Sequence, residues 1–182
     1  MRHRNRFLAL SLASQALLLA ACDKPLPPPA FANAGPTLRP ETFFADRTHS
    51  WGVEQTAGGG PTQSLAVVSV GHATADGAFE LDQTIRLGSH VQTRSWILRR
   101  RGAHGYDGSL TDASGPVHAE AYGNLFHLKY GMKGYVGMTM EQWLYLQPGG
   151  DEVLNEGVVS FLGAPLYRIS ELITRDTAAP QS

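Results

Sequence analysis

The chain has 182 residues, 42% of them hydrophobic and 17% charged, with 15 basic against 16 acidic side chains, an ordinary composition for one globular domain. Its 20 glycines and 11 prolines are far from collagen-like or low-complexity usage, and the near-neutral charge argues against a nucleic-acid partner, which needs a basic face. The solitary cysteine excludes an internal disulfide and every multi-cysteine metal site.

The chain opens on Arg2, His3, Arg4 and Arg6, and continues from Phe7 to Leu19 with only Ser11, Ser14 and Gln15 interrupting the apolar run. That run is shorter than the roughly 20 residues of a spanning helix and has the layout of an export signal. Leu19, Ala20, Ala21 and Cys22 then resemble the bacterial lipobox, in which small residues fit the signal peptidase and the thiolate takes up a diacylglyceryl group. Residues 1–21 therefore read as a lipoprotein signal peptide and Cys22 as the acylated start of the mature chain, in preference to an incidental buried thiol. Loss of the leader removes three arginines and no acid, leaving 12 basic and 16 acidic side chains, a formal charge of −4. Membrane attachment is thus expected through acyl chains, each buried methylene contributing about 0.8 kcal/mol, with two or more chains needed for stable anchoring. The covalent lipid on Cys22 is the only cofactor-like group expected. The address is the bacterial cell envelope, facing the periplasm. Asp23 points to the inner membrane, Lys24 beside it weakens that sign, and the choice of membrane stays open.

Pro25, Pro27, Pro28, Pro29 and Pro36 predict that residues 22–37 form an extended tether of roughly 3.1 Å per residue, followed by one domain over 38–176 and a flexible tail over 177–182. Pro40 to Asp46, with Phe43 and Phe44, reads as a short helical turn that plugs one end. From Trp51 onward, short extended runs alternate with glycine-containing turns. An early strand covers Gln63 to Thr74, rich in Val67, Val68 and Val70. Next, Phe79, Leu81, Ile85 and Leu87 share one parity against Glu80, Asp82, Thr84 and Arg86, the period of a half-buried strand. Gly88, Ser89 and His90 turn it into Val91 to Arg100. Further runs lie near Gly105 to Leu110, Val117 to Tyr122, Asn124 to Met132, Met138 to Gln147, Val153 to Phe161 and Leu166 to Arg175. Such a series is an all-β antiparallel meander, and closure removes its exposed edges. The expected architecture is an up-and-down, lipocalin-like barrel of about 8–10 strands, in preference to an open sandwich.

Several residues in order carry a family likeness: Phe43, Phe44 and Trp51-Gly52; Gly88, Arg94 and Trp96; Tyr106, Gly108, Asp112 and Gly115; Gly123-Asn124, Trp143, Asn155, Phe161 and Gly163. Together they resemble a bacterial lipoprotein family catalogued as domain of unknown function 3833. The resemblance implies a small lipid-anchored barrel without an assigned activity, encoded near lipid-modifying enzymes of the cyclopropane fatty acid synthase type, which associates it with lipid-related work and makes such an enzyme a candidate partner. The chain departs from the pattern at Arg86-Leu87 and Glu141-Gln142, where the family shows acidic pairs.

Arg94 and Trp96 stand two apart on one strand and so point the same way; with Trp96 inward, Arg94 lies at least partly inside. An interior guanidinium needs a carboxylate, a phosphate or several carbonyls. It either anchors the head group of a ligand or stacks on Trp96 and pairs with a resident acid such as Glu120 or Glu141, and the second reading weighs more. The ligand-binding set expected of an open lumen is Arg94, Trp96, Phe126, Tyr130 and Trp143, with Met132, Met138 and Met140 as further apolar lining. Arg99, Arg100 and Arg101 read as a solvated rim. The mature histidines are never closer than nine residues, so no helical or hairpin metal pair is visible. No nucleophile elbow, P-loop or dinucleotide fingerprint is present.

The leading functional reading is a carrier that binds or presents an amphiphile, such as a fatty acyl lipid, in its lumen. A structural or scaffolding lipoprotein with a filled lumen and a docking exterior is the alternative, and a metal-independent lipid isomerase or lyase a third. An open lumen of roughly 300 Å³ or more is the threshold for a lipid-sized guest.

Overall fold

In β3 (Phe79–Leu87), Phe79, Leu81 and Ile85 are buried while Asp82, Thr84 and Arg86 face solvent. In β7 (Leu125–Gly131), Phe126, Leu128 and Tyr130 are buried opposite His127 and Lys129. A sheet with one such face must cover it, and this chain covers it by curling the sheet on itself. The computed structural model describes residues 25–176. They contain β1 (Asp46–Thr56), β2 (Pro61–Ala73), β3, β4 (His90–Arg101), β5 (Gly105–Leu110), β6 (Val117–Tyr122), β7, β8 (Met138–Leu146), β9 (Glu152–Phe161) and β10 (Ala164–Arg175). Every strand pairs antiparallel with its sequence neighbours, and β1 pairs with β10 to close a ten-stranded barrel. The all-β up-and-down barrel expected from alternation is the observed fold. The extended runs expected from Trp51 onward begin five residues earlier, with β1 at Asp46, a strand ahead of the first one marked out at Gln63, because Thr48 and Ser50, polar yet buried, hide the alternation there.

One end of the barrel is plugged. Helix α1 (Pro40–Phe43) is a single turn whose Pro40 and Phe43 are buried, as is Phe44 beyond it. The Phe43 and Phe44 rings meet edge to face, centroids 4.9 Å apart, and the Tyr106 hydroxyl donates to Glu41 at 2.9 Å. Above this plug lies the main core, including Leu81, Leu98, Phe126, Leu146 and Val153; a smaller cluster of Leu65, Val67 and Ile85 lies apart from it. At the opposite end Tyr135, Val136, Phe161 and Leu162 are exposed at the β7–β8 and β9–β10 connections.

The tether predicted over 22–37 is not extended throughout its described part. Pro28–Phe31 forms a 3-10 turn that packs on β6 and β7. The Phe31 ring lies 5.7 Å from that of Tyr145, and Leu38 N donates to Gly123 O at 2.8 Å. Gly123 has φ +52°, and a Cβ there would stand 2.0 Å from Phe31 O and 2.4 Å from Ala34 O. Glycine is thus needed both for the left-handed turn and for the close approach. The apolar residues among the prolines decide this outcome, since Phe31 and Leu38 bury surface that a solvated tether leaves in water. The leader, Cys22, Asp23 and Lys24, and the tail over 177–182, lie outside the described residues.

On the outer surface, Tyr145 pairs with Leu154, Leu154 with Leu172 and Leu172 with Trp51. This row of apolar side chains crosses four strands and starts where Phe31 docks.

Candidate functional site

The lumen holds two polar groups in an otherwise apolar interior. Arg94, on β4, has only 13% of its side chain exposed. Its Nε donates to Gln83 Oε1 at 2.9 Å, and its Nη1 lies 3.3 Å from both Asp112 Oδ2 and the Tyr130 hydroxyl. The guanidinium also sits 5.3 Å from the centre of the Trp96 ring, and Trp96 Nε1 donates to the same Gln83 oxygen at 2.7 Å. Gln83 in turn donates to Ser69 at 3.1 Å. Burial pushes the Tyr130 hydroxyl above the ordinary phenol range and the Asp112 charge adds to this, while Arg94 opposes both.

The second group is centred on Glu171, of β10, a carboxylate 8% exposed. Ser50 of β1 donates its hydroxyl to one oxygen, and Asn155 of β9 donates its amide to the other at 2.9 Å. Gly52 makes room for this acid: a Cβ there would fall 2.8 Å from the Glu171 Cα. Asn155 Oδ1, Gln142 Oε1 and Thr48 Oγ1 are buried in the same region without any partner.

Glu171, Asn155 and Gln142 on one side and Arg94 and Gln83 on another line one cavity, whose remaining wall includes Phe44, Phe79, Leu98 and Phe126. Its free volume is about 30 Å³. This is room for a water molecule or a small head group, and it falls short of the 300 Å³ threshold for a whole lipid.

Of the expected ligand-binding residues, Arg94, Trp96 and Phe126 line this cavity together, and Tyr130 touches it through Arg94. Trp143 does not. It lies on the outward parity of β8 with Glu141 and Tyr145, its ring 5.4 Å from that of His127. The inward positions of that strand are Met140, Gln142 and Leu144. The resident acid of Arg94 is likewise neither Glu120 nor Glu141: both face outward and flank His127 at 3.5 and 3.0 Å, and Asp112 takes the place expected of them. Burial alone would raise the Glu141 carboxyl, but hydrogen bonds from Lys129 and His127 hold it below the usual range. Met132 and Met138 are half-buried against the core at the end opposite the plug, and Met140 is in the core. Arg99, Arg100 and Arg101 are exposed as a rim; Arg99 pairs with Asp76 and Arg101 with Asp107. Among the described residues no cluster of three or more metal-ligating side chains forms.

Sequence reasoning missed Gln83, Gln142 and Glu171. Each is a polar residue on the inward parity of its strand, which is the signal that could have found them.

With this geometry in place, comparison with known proteins decides the family. The profile of the family described as Protein of unknown function (DUF3833) matches residues 16–175. The chain belongs to that family. The DUF3833 barrel is also similar to solved structures. One is an S-type phycobiliprotein lyase from Guillardia theta, with a TM-score of 0.61 and 9% identity, covering 85% of this chain and all of the other. A second is a protein of unknown function from the DUF3598 family of Nostoc punctiforme, with a TM-score of 0.57 and 12% identity, covering 78% of this chain and 50% of the other. At such identities the likeness establishes a common barrel fold alone. No curated protein matches the sequence.

Proposed function

We propose that this DUF3833 protein is a lipid-anchored barrel of the bacterial cell envelope, facing the periplasm, whose lumen receives the head of a small amphiphile. The observation that carries this reading is the buried, half-satisfied polar group around Glu171 opening on a cavity. An interior selected only for stability would replace a buried carboxylate and unpartnered amide oxygens with apolar side chains. The lumen is narrow, so it takes the head of the amphiphile and does not enclose a whole fatty acyl lipid. The lipobox at Cys22 supports the anchor. The docked turn at Phe31, only nine residues later, supports an orientation in which the apolar row from Tyr145 to Trp51 faces the bilayer that holds the acyl chains. A lipid-modifying enzyme acting on the same class of amphiphile fits this placement as a partner.

Native mass spectrometry of gently purified protein tests the proposal. A retained small molecule above the mass of the acylated chain is expected, and a clean apo mass refutes lumenal binding. Replacing Cys22 with serine is expected to abolish the acyl mass and release the protein from the membrane fraction; unchanged membrane attachment refutes the anchor.

A second reading, a scaffolding lipoprotein with a filled lumen, is favoured by the 30 Å³ volume and by the way the protein itself occupies Arg94. Crosslinking that captures a constant protein partner, together with an empty lumen, decides for it.

A further inference from the structure

The sequence directs attention to Arg94 and hence to an anionic ligand. The lumen's unmet chemistry has the opposite sign. Arg94 already has Gln83, Asp112, Tyr130 and the Trp96 ring around it. Glu171 is 8% exposed, and among the described residues no lysine, arginine or histidine stands within ion-pair distance of it. Its two hydrogen bonds, from Ser50 and Asn155, occupy two of the roughly four acceptor positions of a carboxylate. Beside it, Asn155 and Gln142, 2% and 6% exposed, each keep an unpartnered carbonyl oxygen, and all three residues line the cavity.

We propose that the head received in the lumen is a primary ammonium, held by Glu171, Asn155 and Gln142. Such a group brings three N–H donors and one positive charge to a site with one negative charge and at least three free acceptor positions. An anion would be repelled by the Glu171 carboxylate, and the one cation that lines the cavity, Arg94, is already held by Gln83, Asp112 and Tyr130. A quaternary ammonium carries no N–H and leaves the amide oxygens unpaired. A calcium ion requires six to eight oxygens and commonly several carboxylates, where this site offers one. The aromatic and aliphatic wall of Phe44, Phe79, Leu98 and Phe126 suits a short alkyl substituent on the amine. The inference names the ligand class of the lumenal site and rests on that site being a binding site.

The test uses the full chain and the indole N–H resonances of its three tryptophans. Trp96 lines the cavity, whereas Trp51 and Trp143 lie on the outer surface and report surface binding. Titration with n-butylammonium at neutral pH is expected to shift the Trp96 signal with half-saturation in the millimolar range and to leave the other two in place. Butyrate and butyltrimethylammonium are expected to leave all three unmoved. Glu171→Gln is expected to weaken the butylammonium response at least tenfold; it alters net charge by one unit, so diffuse attraction of a cation to the protein persists. A Trp96 response to butyrate or calcium chloride in preference to butylammonium overturns the ammonium assignment and leaves lumenal binding standing. An unchanged butylammonium response in Glu171→Gln overturns it too. Should Glu171→Gln fail to fold, the charge selectivity of the unaltered protein decides alone. Silence of Trp96 toward every probe overturns both the assignment and the lumenal reading.

Discussion

Replacing Arg94 separates a side chain that holds the barrel from one that waits for a ligand. Arg94→Ala removes a charge-assisted hydrogen bond to Gln83, which contributes about 1.5–3 kcal/mol, and a cation–π contact with Trp96 of about 0.5–1 kcal/mol. The 3.3 Å contacts with Asp112 and Tyr130 add less, because the Asp112 side chain is 38% exposed and solvent screens the pair to at most about 1 kcal/mol. A total near 3 kcal/mol follows. For a domain of this size each kcal/mol moves Tm by about 2–4 °C, so the expected loss is roughly 6–12 °C.

Thermal and urea unfolding of the unaltered protein, Arg94→Ala and Arg94→Met measure it. Methionine restores most of the buried stem and none of the donors, so Arg94→Met is expected to recover less than half of the loss. If Arg94→Ala stays within about 0.5 kcal/mol of the unaltered protein, the side chain is not structural and the assignment of its partners as its reason for being inside is wrong. If Arg94→Met restores full stability, packing alone accounts for the position.

Three further outcomes follow from other parts of the barrel. Trp143→Ala is expected to cost under about 1 kcal/mol in urea unfolding and to leave the Trp96 response to butylammonium unchanged, since the ring only flanks His127 outside; a weakened response places it at the lumen after all. Gly123→Ala forces a side chain into the oxygens of Phe31 and Ala34 at a left-handed backbone position, and hydrogen exchange is expected to accelerate across residues 28–38 while β1 to β10 stay protected. Slow exchange throughout that segment refutes the docking. The Thr74 hydroxyl and Arg99 hold the Asp76 carboxyl at about 2, against an ordinary 3.8. A depressed folded-state value stabilises above the unfolded value, so this contribution is complete above pH 4 and disappears as pH falls toward 2. Asp76→Asn is expected to flatten acid unfolding in that window; an unaltered acid profile refutes it.

Alternation made the fold legible. Nine of the ten strands occupy the stretches that the period-two pattern marks out, because apolar residues recur on one parity, as Val117 and Ala119 do in the short β6. Closure was legible too, since a meander of that length with no helices to cover its edges has few other stable forms. The first half of β1 was hidden because its inward residues are Thr48 and Ser50, which break the apolar pattern without breaking the strand. The docking of Phe31 was hidden by the surrounding prolines, whose local preference for an extended chain yields to burial of one ring against Tyr145.

The same parity explains why half of the site was visible. Arg94 and Trp96 drew notice because an arginine and a tryptophan two apart are conspicuous, and both lie inside. Trp143 counts among the residues expected in the lumen, yet its neighbours Gln142 and Leu144 fix the direction of β8: Leu144 is 4% exposed, so every second residue from it points inward, Gln142 among them, and Trp143 cannot. In β10, Ile173 is 7% exposed, and counting back by two reaches Glu171. The count in β9 from Val153 reaches Asn155 in the same way. A polar residue on the apolar parity of a closed barrel must find a partner inside or lose stability. Ser50 and Asn155 reach Glu171, but neither is a cation. The sequence holds no basic residue on the inward positions of β9 or of β10 between Ile169 and Ile173, and Arg94, the basic residue on the same cavity, pairs with Asp112, so no ion pair within the wall meets this acid.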